Sequence, residues 1–141
     1  MSQPENSFIQ SVHRYLPNTL YRMKNHNEYN SGIADVWYSA VRDLWVEYKF
    51  LKVPVRDSTS INLVAKKKND WGITPLQRDW LNSRHDEGRN VWVVVGSKDG
   101  GVIFRNKAWE HPVTAEVFRL RTIPRSKVAE YLVSFLTGAS P

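Results

Sequence analysis

The chain has 141 residues, of which 41% are hydrophobic and 24% charged, a composition typical of a folded globular protein rather than a disordered one. It contains no cysteine, which excludes disulfide bonds, thiolate nucleophiles and cysteine-ligated zinc. Twenty Lys and Arg residues against fourteen Asp and Glu residues give a net charge of +6, and a basic domain of this kind favours a polyanionic partner such as nucleic acid.

Hydrophobic periodicity predicts a single α/β domain over residues 1–141. In chain order the predicted elements are a helix over 3–16, strands over 19–24, 34–40 and 44–50, a helix over 74–88, strands over 91–97 and 102–106, and a helix over 125–137. Thr74, Pro75 and Gln77 have the spacing of a capped helix start. The order of elements up to residue 97, αβββαβ, predicts a mixed β-sheet flanked by helices.

The predicted strand over 44–50 has two chemically different faces. One face carries Leu44, Val46, Tyr48 and Phe50, and the other carries Trp45, Glu47 and Lys49. A three-residue loop at 41–43 would set Asp35 opposite Lys49 and make it a diagonal neighbour of Glu47 on the same face. A two-residue loop would turn Asp35 to the other face, so we predict an odd-length loop or a compensating bulge.

Other stretches carry weaker patterns. Residues 51–73 form a loop that is unusually long for a compact domain unless it has a function, and residues 107–124 show no clear periodicity. The last helix is expected to turn Val128, Tyr131, Leu132 and Phe135 inward. Among the tryptophans, Trp37, Trp80 and Trp92 are expected in the core. Trp71, in the loop beside a run of lysines, is expected to pack, with stacking on a nucleic-acid base or wedging a junction as the alternative.

Asp35, Glu47 and Lys49 are charged residues inside apolar strands, where a charge is costly to bury unless it is paired or bound to a metal. Carboxylate oxygens suit a hard cation such as Mg²⁺ or Mn²⁺, which polarises a phosphate and lowers the pKa of a bound water. A lysine on the same strand face can orient that water and offset charge on the phosphate. The alternative is a buried ion pair in which Lys49 neutralises the acids.

The whole pattern resembles the PD-(D/E)xK nuclease superfamily, and within it the small Holliday-junction resolvases and virus-type replication-repair nucleases. The shared parts are a first helix with Glu5, a Gly-x-x-Asp segment at 32–35, the Glu47-Tyr48-Lys49 strand, and the helix and strand over 74–97. The resemblance implies a restriction-endonuclease-like core and a metal-dependent endonuclease that hydrolyses DNA. It also implies Mg²⁺ as cofactor, with Mn²⁺ as a substitute, held by Asp35, Glu47 and Glu5.

Two site residues come from the resemblance and also have simpler explanations. Gln77 occupies the place of a glutamine that abuts the active site in these enzymes, and Glu5 that of a metal or water ligand. Each is also the last residue of a capping box, with Thr74 and Ser2 as the respective first residues. The chain departs from the family pattern at Ala34, where a proline is usual, and in the length of the 51–73 loop.

Basic residues near the predicted site are candidates for phosphate contacts. They are the run Lys66, Lys67 and Lys68, with Arg56, Arg78 and Arg84 as further candidates. A charge run in a loop can also be merely solvated. His26 precedes the site in sequence and receives no role.

The leading hypothesis is a structure-selective endonuclease that acts on branched DNA in recombination or repair. A sequence-specific restriction or homing endonuclease on the same fold is the second hypothesis, and a non-catalytic basic DNA-binding module is the third. A homodimer or higher homo-oligomer is expected because cutting both strands requires two sites related by a two-fold axis. The sequence has neither a secretory signal nor an apolar run near the ~18 residues that span a bilayer, so a cytoplasmic protein without a membrane partner is expected.

Overall fold

The structure is a computed structural model that describes residues 3–25, 32–67 and 70–138. The helices are α1 (Gln3–His13), α2 (Pro75–Asp86), α3 (Ala115–Arg121) and α4 (Arg125–Leu136), with a 3₁₀ turn at Ala108–Glu110. The strands are β1 (Tyr21–Lys24), β2 (Val36–Ser39), β3 (Asp43–Phe50), β4 (Ser60–Ile61), β5 (Val91–Ser97), β6 (Gly100–Phe104) and β7 (Val113–Thr114).

Five strands form the main sheet in the order β1-β2-β3-β5-β6. The pair β3–β5 is parallel and the other pairs are antiparallel, so the sheet is mixed. The parallel pair lies in the centre, and α2 makes the crossover between its two strands. All seven residues of β5 are buried, which explains why its sequence is a continuous apolar run without alternation.

We call the face of the sheet that carries Leu44, Val46 and Tyr48 the back face. Helices α1 and α4 cover it, and both contribute buried side chains such as Phe8 and Leu132 to one core cluster. Phe8 lies so close to Gly96 that a Cβ at this glycine would overlap the aromatic ring. The missing side chain therefore lets α1 pack directly on the sheet.

The opposite face, which we call the front face, packs against a second core cluster. This cluster includes Leu81 of α2, Phe118 of α3, and Val93 and Val95 of β5. The two-residue strands β4 and β7 pair with each other and form a small separate sheet. No helix within the three described ranges is long and apolar enough to cross a membrane.

The predicted core elements are confirmed, including the capping box of α2, in which Thr74 and Gln77 bond reciprocally. Four elements were missed, namely β4, the 3₁₀ turn, β7 and α3, all in the stretches without clear periodicity. The prediction that Tyr131 turns inward was wrong: 42% of this residue is exposed, and the Arg105 guanidinium lies 5.7 Å from its ring centroid.

The β2–β3 loop has three residues, so the predicted odd length is confirmed, but it consists of residues 40–42 rather than 41–43. Ser39 therefore pairs with Asp43, and its hydroxyl donates a 2.8 Å hydrogen bond to the Asp43 carboxylate. The Arg42 amide donates to the Leu136 carbonyl of α4, which attaches the loop to this helix. The predicted opposition of Asp35 and Lys49 was thus wrong by two positions.

Candidate active site

The β2–β3 pair brings the predicted acids together on the front face. Val36 pairs with Val46, and both lie in the back-face core, so the neighbouring positions Asp35 and Glu47 belong to the front face. Extending the register by one residue sets Asp35 opposite Glu47, where Cβ atoms are about 4.5–5.5 Å apart. Direct opposition brings the two carboxylates closer than the predicted diagonal arrangement.

Two contacts define the local geometry of these residues. The Tyr48 backbone N–H donates a 2.9 Å hydrogen bond to Asp35 Oδ2, which fixes this side chain against β3. Lys49 Nζ lies 3.5 Å from Glu47 Oε2. Glu47 is 1% exposed and Lys49 is 8% exposed, so both ionisable side chains lie in a site largely removed from water.

Both carboxyls resist ionisation. Burial raises the pKa of Glu47 well above its usual value, and the Asp35 charge raises it further, while Lys49 opposes the shift. Burial also raises the pKa of Asp35, although the hydrogen bond from the Tyr48 amide and the charge of Lys49 partly offset this rise. A single lysine does not offset two buried acids, so the site has a deficit of positive charge.

Glu5, in the first turn of α1, contributes to this deficit. Its carboxylate is within electrostatic range of both Asp35 and Glu47 and raises the pKa of each. Ser2, its predicted capping partner, lies outside the described residues. Glu5 therefore lies near the predicted acids, although its role as a ligand stays a prediction.

The donor set fits a hard divalent cation. Glu47 Oε1 is buried and accepts no hydrogen bond from the residues described, so it is an orphaned acceptor in a site that lacks positive charge. Within the described ranges, no three His, Asp or Glu residues are grouped as a metal cluster. Mg²⁺ does not require such a cluster, because it binds through one or two carboxylates and completes its shell with water and substrate phosphate.

The N-terminus of α2 approaches the segment that precedes Asp35. A Cβ at Gly32 would lie 2.9 Å from the Leu76 carbonyl oxygen, so only glycine fits this close approach. Gln77 follows Leu76, but its side-chain oxygen accepts a 3.0 Å hydrogen bond from the Thr74 amide. The cap occupies the oxygen of Gln77 and leaves its NH₂ group as the part able to reach a substrate.

The predicted phosphate-binding residues differ in their surroundings. Lys66, Lys67 and Arg56 are exposed, and Asp70 caps the backbone amides of the two lysines. Arg78 forms two contacts with Glu110, of 3.0 and 2.8 Å, and Arg84 pairs with Glu87 at 2.9 Å. Lys68 and His26 lie outside the described residues. The two lysines and Arg56 are therefore more open to an anionic partner than the two paired arginines.

Two features were not predicted from the sequence. The Tyr48 amide positions Asp35, a backbone role that no residue type can signal. A groove of about 1000 Å³ opens where β3 ends, and its lining includes Lys52 and Lys98. Only their position after strands β3 and β5 could have indicated these lysines, since the carboxyl ends of parallel strands meet at one edge of a sheet.

Three of the four tryptophans with expected packing roles turn out to be half-buried. Trp92 lies in the core at 3% exposure, as expected. Trp37 and Trp80 are half-buried on the front side, which corrects their assignment to the core. Trp71 is partly buried and packs against the front-face cluster, in agreement with its expected packing role.

A mixed five-stranded sheet flanked by helices, with the parallel pair at its centre, defines the fold class as the α/β fold of Holliday junction resolvases. The Holliday junction resolvase Hjc of the archaeal hyperthermophile Archaeoglobus fulgidus is similar in structure, with a TM-score of 0.53 over 92% of this chain and 98% of that one. The two sequences are 11% identical, so the likeness concerns the fold. No protein-family model matches this chain, and no curated protein matches it in sequence.

Proposed function

We propose that this protein is a metal-dependent endonuclease that hydrolyses phosphodiester bonds in DNA. The observation that carries the proposal is the set of Asp35, Glu47 and Lys49, which the β2–β3 pair brings to one face in a largely buried site. A non-catalytic DNA-binding module would not need to bury two carboxylates with raised pKa values and an orphaned acceptor oxygen.

Each residue has a role that follows from its position. Asp35 and Glu47 would hold a Mg²⁺ or Mn²⁺ ion, and Glu5 would bind the same ion or its water. When bound, the ion polarises the scissile phosphate and lowers the pKa of a water. Lys49, 3.5 Å from Glu47, orients the attacking water and offsets the charge that develops on the phosphate oxygens. Gln77 would direct its NH₂ group toward the substrate.

The proposed substrate is branched DNA, such as a Holliday junction. The net charge of +6 supports DNA as the partner. The fold shared with a Holliday junction resolvase supports branched DNA as the preferred substrate. We also propose a homodimer, since paired cuts require two sites related by a two-fold axis. Such an enzyme works where DNA is, inside the cell, in recombination or repair.

Cleavage of a panel of labelled DNAs tests the proposal. The protein is incubated with Mg²⁺ and a four-way junction, a flap, a linear duplex or a single strand, and the products are separated on a denaturing gel. We expect paired nicks near the branch point and little cutting of the linear duplex. Sequence-dependent cutting of the duplex would instead favour a restriction or homing enzyme, and intact DNA in every lane would contradict the proposed activity.

The lysine run provides a separate prediction about DNA affinity. Replacement of Lys66, Lys67 and Lys68 by Gln should flatten the slope of log K against log[salt] by about 0.9 per lost phosphate contact, or ~2.7 in total. Affinity is measured by fluorescence anisotropy at several salt concentrations in EDTA. Lys127→Gln is a control, because Lys127 is an exposed lysine of α4 that pairs with Glu130. An unchanged slope in the triple variant would show that the three lysines are solvated and do not contact phosphates.

A further inference from the structure

A strip of large apolar side chains lies beside the candidate active site on the front face. It consists of Tyr21 and Met23 of β1, Trp37 of β2, Trp45 of β3 and Trp80 of α2. We call this set the front strip. Three of its members form one row across three strands, because Met23 pairs with Trp37, which pairs with Trp45. The strip is therefore a product of the strand register.

The rings of the front strip contact one another in series. Tyr21 meets Trp37 edge-on with centroids 5.5 Å apart, and Trp37 stacks on Trp45 at 5.8 Å with 23° between the planes. Trp45 then meets Trp80 edge-on at 5.4 Å. These contacts hold the rings in fixed orientations, so a ligand that stacks on them meets a preorganised surface.

The outer part of the strip faces solvent. Tyr21 is 54% exposed and Met23 is 45% exposed, and Trp37 is half-buried. Folding alone would not favour this arrangement, because water contacts the large rings that packing normally covers. An exposed aromatic platform suits a ligand with flat faces of its own.

The strip directly adjoins the candidate catalytic row. Trp37 and Asp35 are two residues apart on one side, and Trp45 and Glu47 are two residues apart on the other, which corresponds to about 6.6 Å along a strand. A group that stacks on the strip therefore lies next to the phosphate that a cation on the two carboxylates would bind. This distance suits a base that is adjacent to the scissile phosphate in the same DNA strand.

We propose that the front strip stacks on an unpaired base next to the phosphate that is cleaved, an inference that rests on the proposed function. Bases in continuous duplex keep their faces stacked inside the helix, whereas a branch point or single strand exposes them to aromatic side chains. The site thus selects DNA that is unpaired at the cut. A second copy of this chain fits less well, since at this position it would cover the approach to Asp35 and Glu47.

Binding measured without cleavage tests this proposal. The affinities of the wild-type protein for a single-stranded oligonucleotide, its duplex, and the same strand with abasic sites are measured in EDTA by anisotropy. Tyr21→Leu and Trp37→Leu should weaken single-strand binding about fivefold to a hundredfold and leave duplex binding within about twofold. Tyr15→Leu, a change at an exposed tyrosine beyond the end of α1, is the matched control and should have no effect.

The abasic strand identifies the cause of the loss. If the strip stacks on bases, the wild-type protein should bind the abasic strand more weakly than the normal strand. The Tyr21→Leu variant should then bind the abasic strand with the same affinity as the wild type does. Equal losses on normal and abasic strands would overturn the proposal. So would variants that turn a dimer into a monomer in sedimentation while single-strand affinity stays unchanged, since the strip would then join two copies.

Two features of the design keep the test independent of folding and of the proposed activity. The Tyr21 ring is largely exposed, so Tyr21→Leu decides the question even if Trp37→Leu fails to fold. A chain that stacks on single strands but cuts no DNA would contradict the proposed function and retain this inference. If the protein cuts branched DNA but Tyr21→Leu loses no affinity for single strands, the proposed function is retained and this inference is contradicted.

Discussion

Glu47→Gln, Asp35→Asn and Lys49→Met are each expected to reduce DNA cleavage about 10²- to 10⁴-fold and to leave DNA affinity within about threefold. The two amide substitutions keep the size of the side chain and remove the charge that would hold a cation. The lysine substitution removes the charge beside Glu47 Oε2, 3.5 Å away. Single-turnover cleavage of a four-way junction and anisotropy in EDTA measure the two effects separately.

Matched controls distinguish chemistry from a general effect of charge. Asp43→Asn changes an exposed carboxylate on the same strand as Glu47, and Lys127→Met changes an exposed lysine of α4, which covers the back face. Both controls should retain cleavage within about threefold. Full activity in any of the three site variants would remove that residue from the catalytic set, and equal losses in the controls would show that the assay reports charge alone.

Local patterns were sufficient to predict the elements that carry the site. The alternation in β3 assigns Glu47 and Lys49 to one face of the strand. The structure agrees, because the side chains of the other face, Leu44, Val46 and Tyr48, lie in the back-face core. This pattern depends only on the two-residue period of a strand, so it needs no knowledge of the rest of the chain. The capping box at Thr74 is equally local, and it was confirmed.

Features that depend on distant residues could not be predicted in the same way. The β2–β3 loop is bound to α4 by the hydrogen bond from the Arg42 amide to the Leu136 carbonyl, nearly a hundred residues away in the chain, and no local pattern signals this contact. Strands β4 and β7 contain two residues each and form by pairing with each other, so neither carries a period of its own. The exposure of Trp37 likewise depends on which elements cover the front face.

A divalent cation is expected to stabilise the protein through the same carboxylates. At a Mg²⁺ or Mn²⁺ concentration one hundred times the dissociation constant, the free energy of unfolding should rise by about 2.7 kcal/mol. Asp35→Asn and Glu47→Gln should abolish this rise, whereas Asp43→Asn should retain it. Thermal unfolding with and without metal measures the effect and does not require cleavage. An equal rise in all variants would place the cation elsewhere.

The metal effect should also depend on pH, with a sign that the pKa of Glu47 determines. Burial raises this pKa well above its ordinary value of 4.5, so the native metal-free protein binds more protons here than the unfolded chain does. The contribution of Glu47 to stability is therefore present below about pH 4.5 and is lost as the pH rises through the raised pKa. A cation must displace the same proton, so the stabilisation by Mg²⁺ should grow as the pH rises from about 4.5 through the raised pKa of Glu47.

His13 also makes stability depend on pH. Burial lowers its pKa to about 4, so its contribution to the free energy of unfolding rises with pH, whereas that of Glu47 falls. The comparison of wild type with Glu47→Gln removes the contribution of His13. A metal effect that stays constant from acid to neutral pH would contradict the assignment of the cation to Glu47.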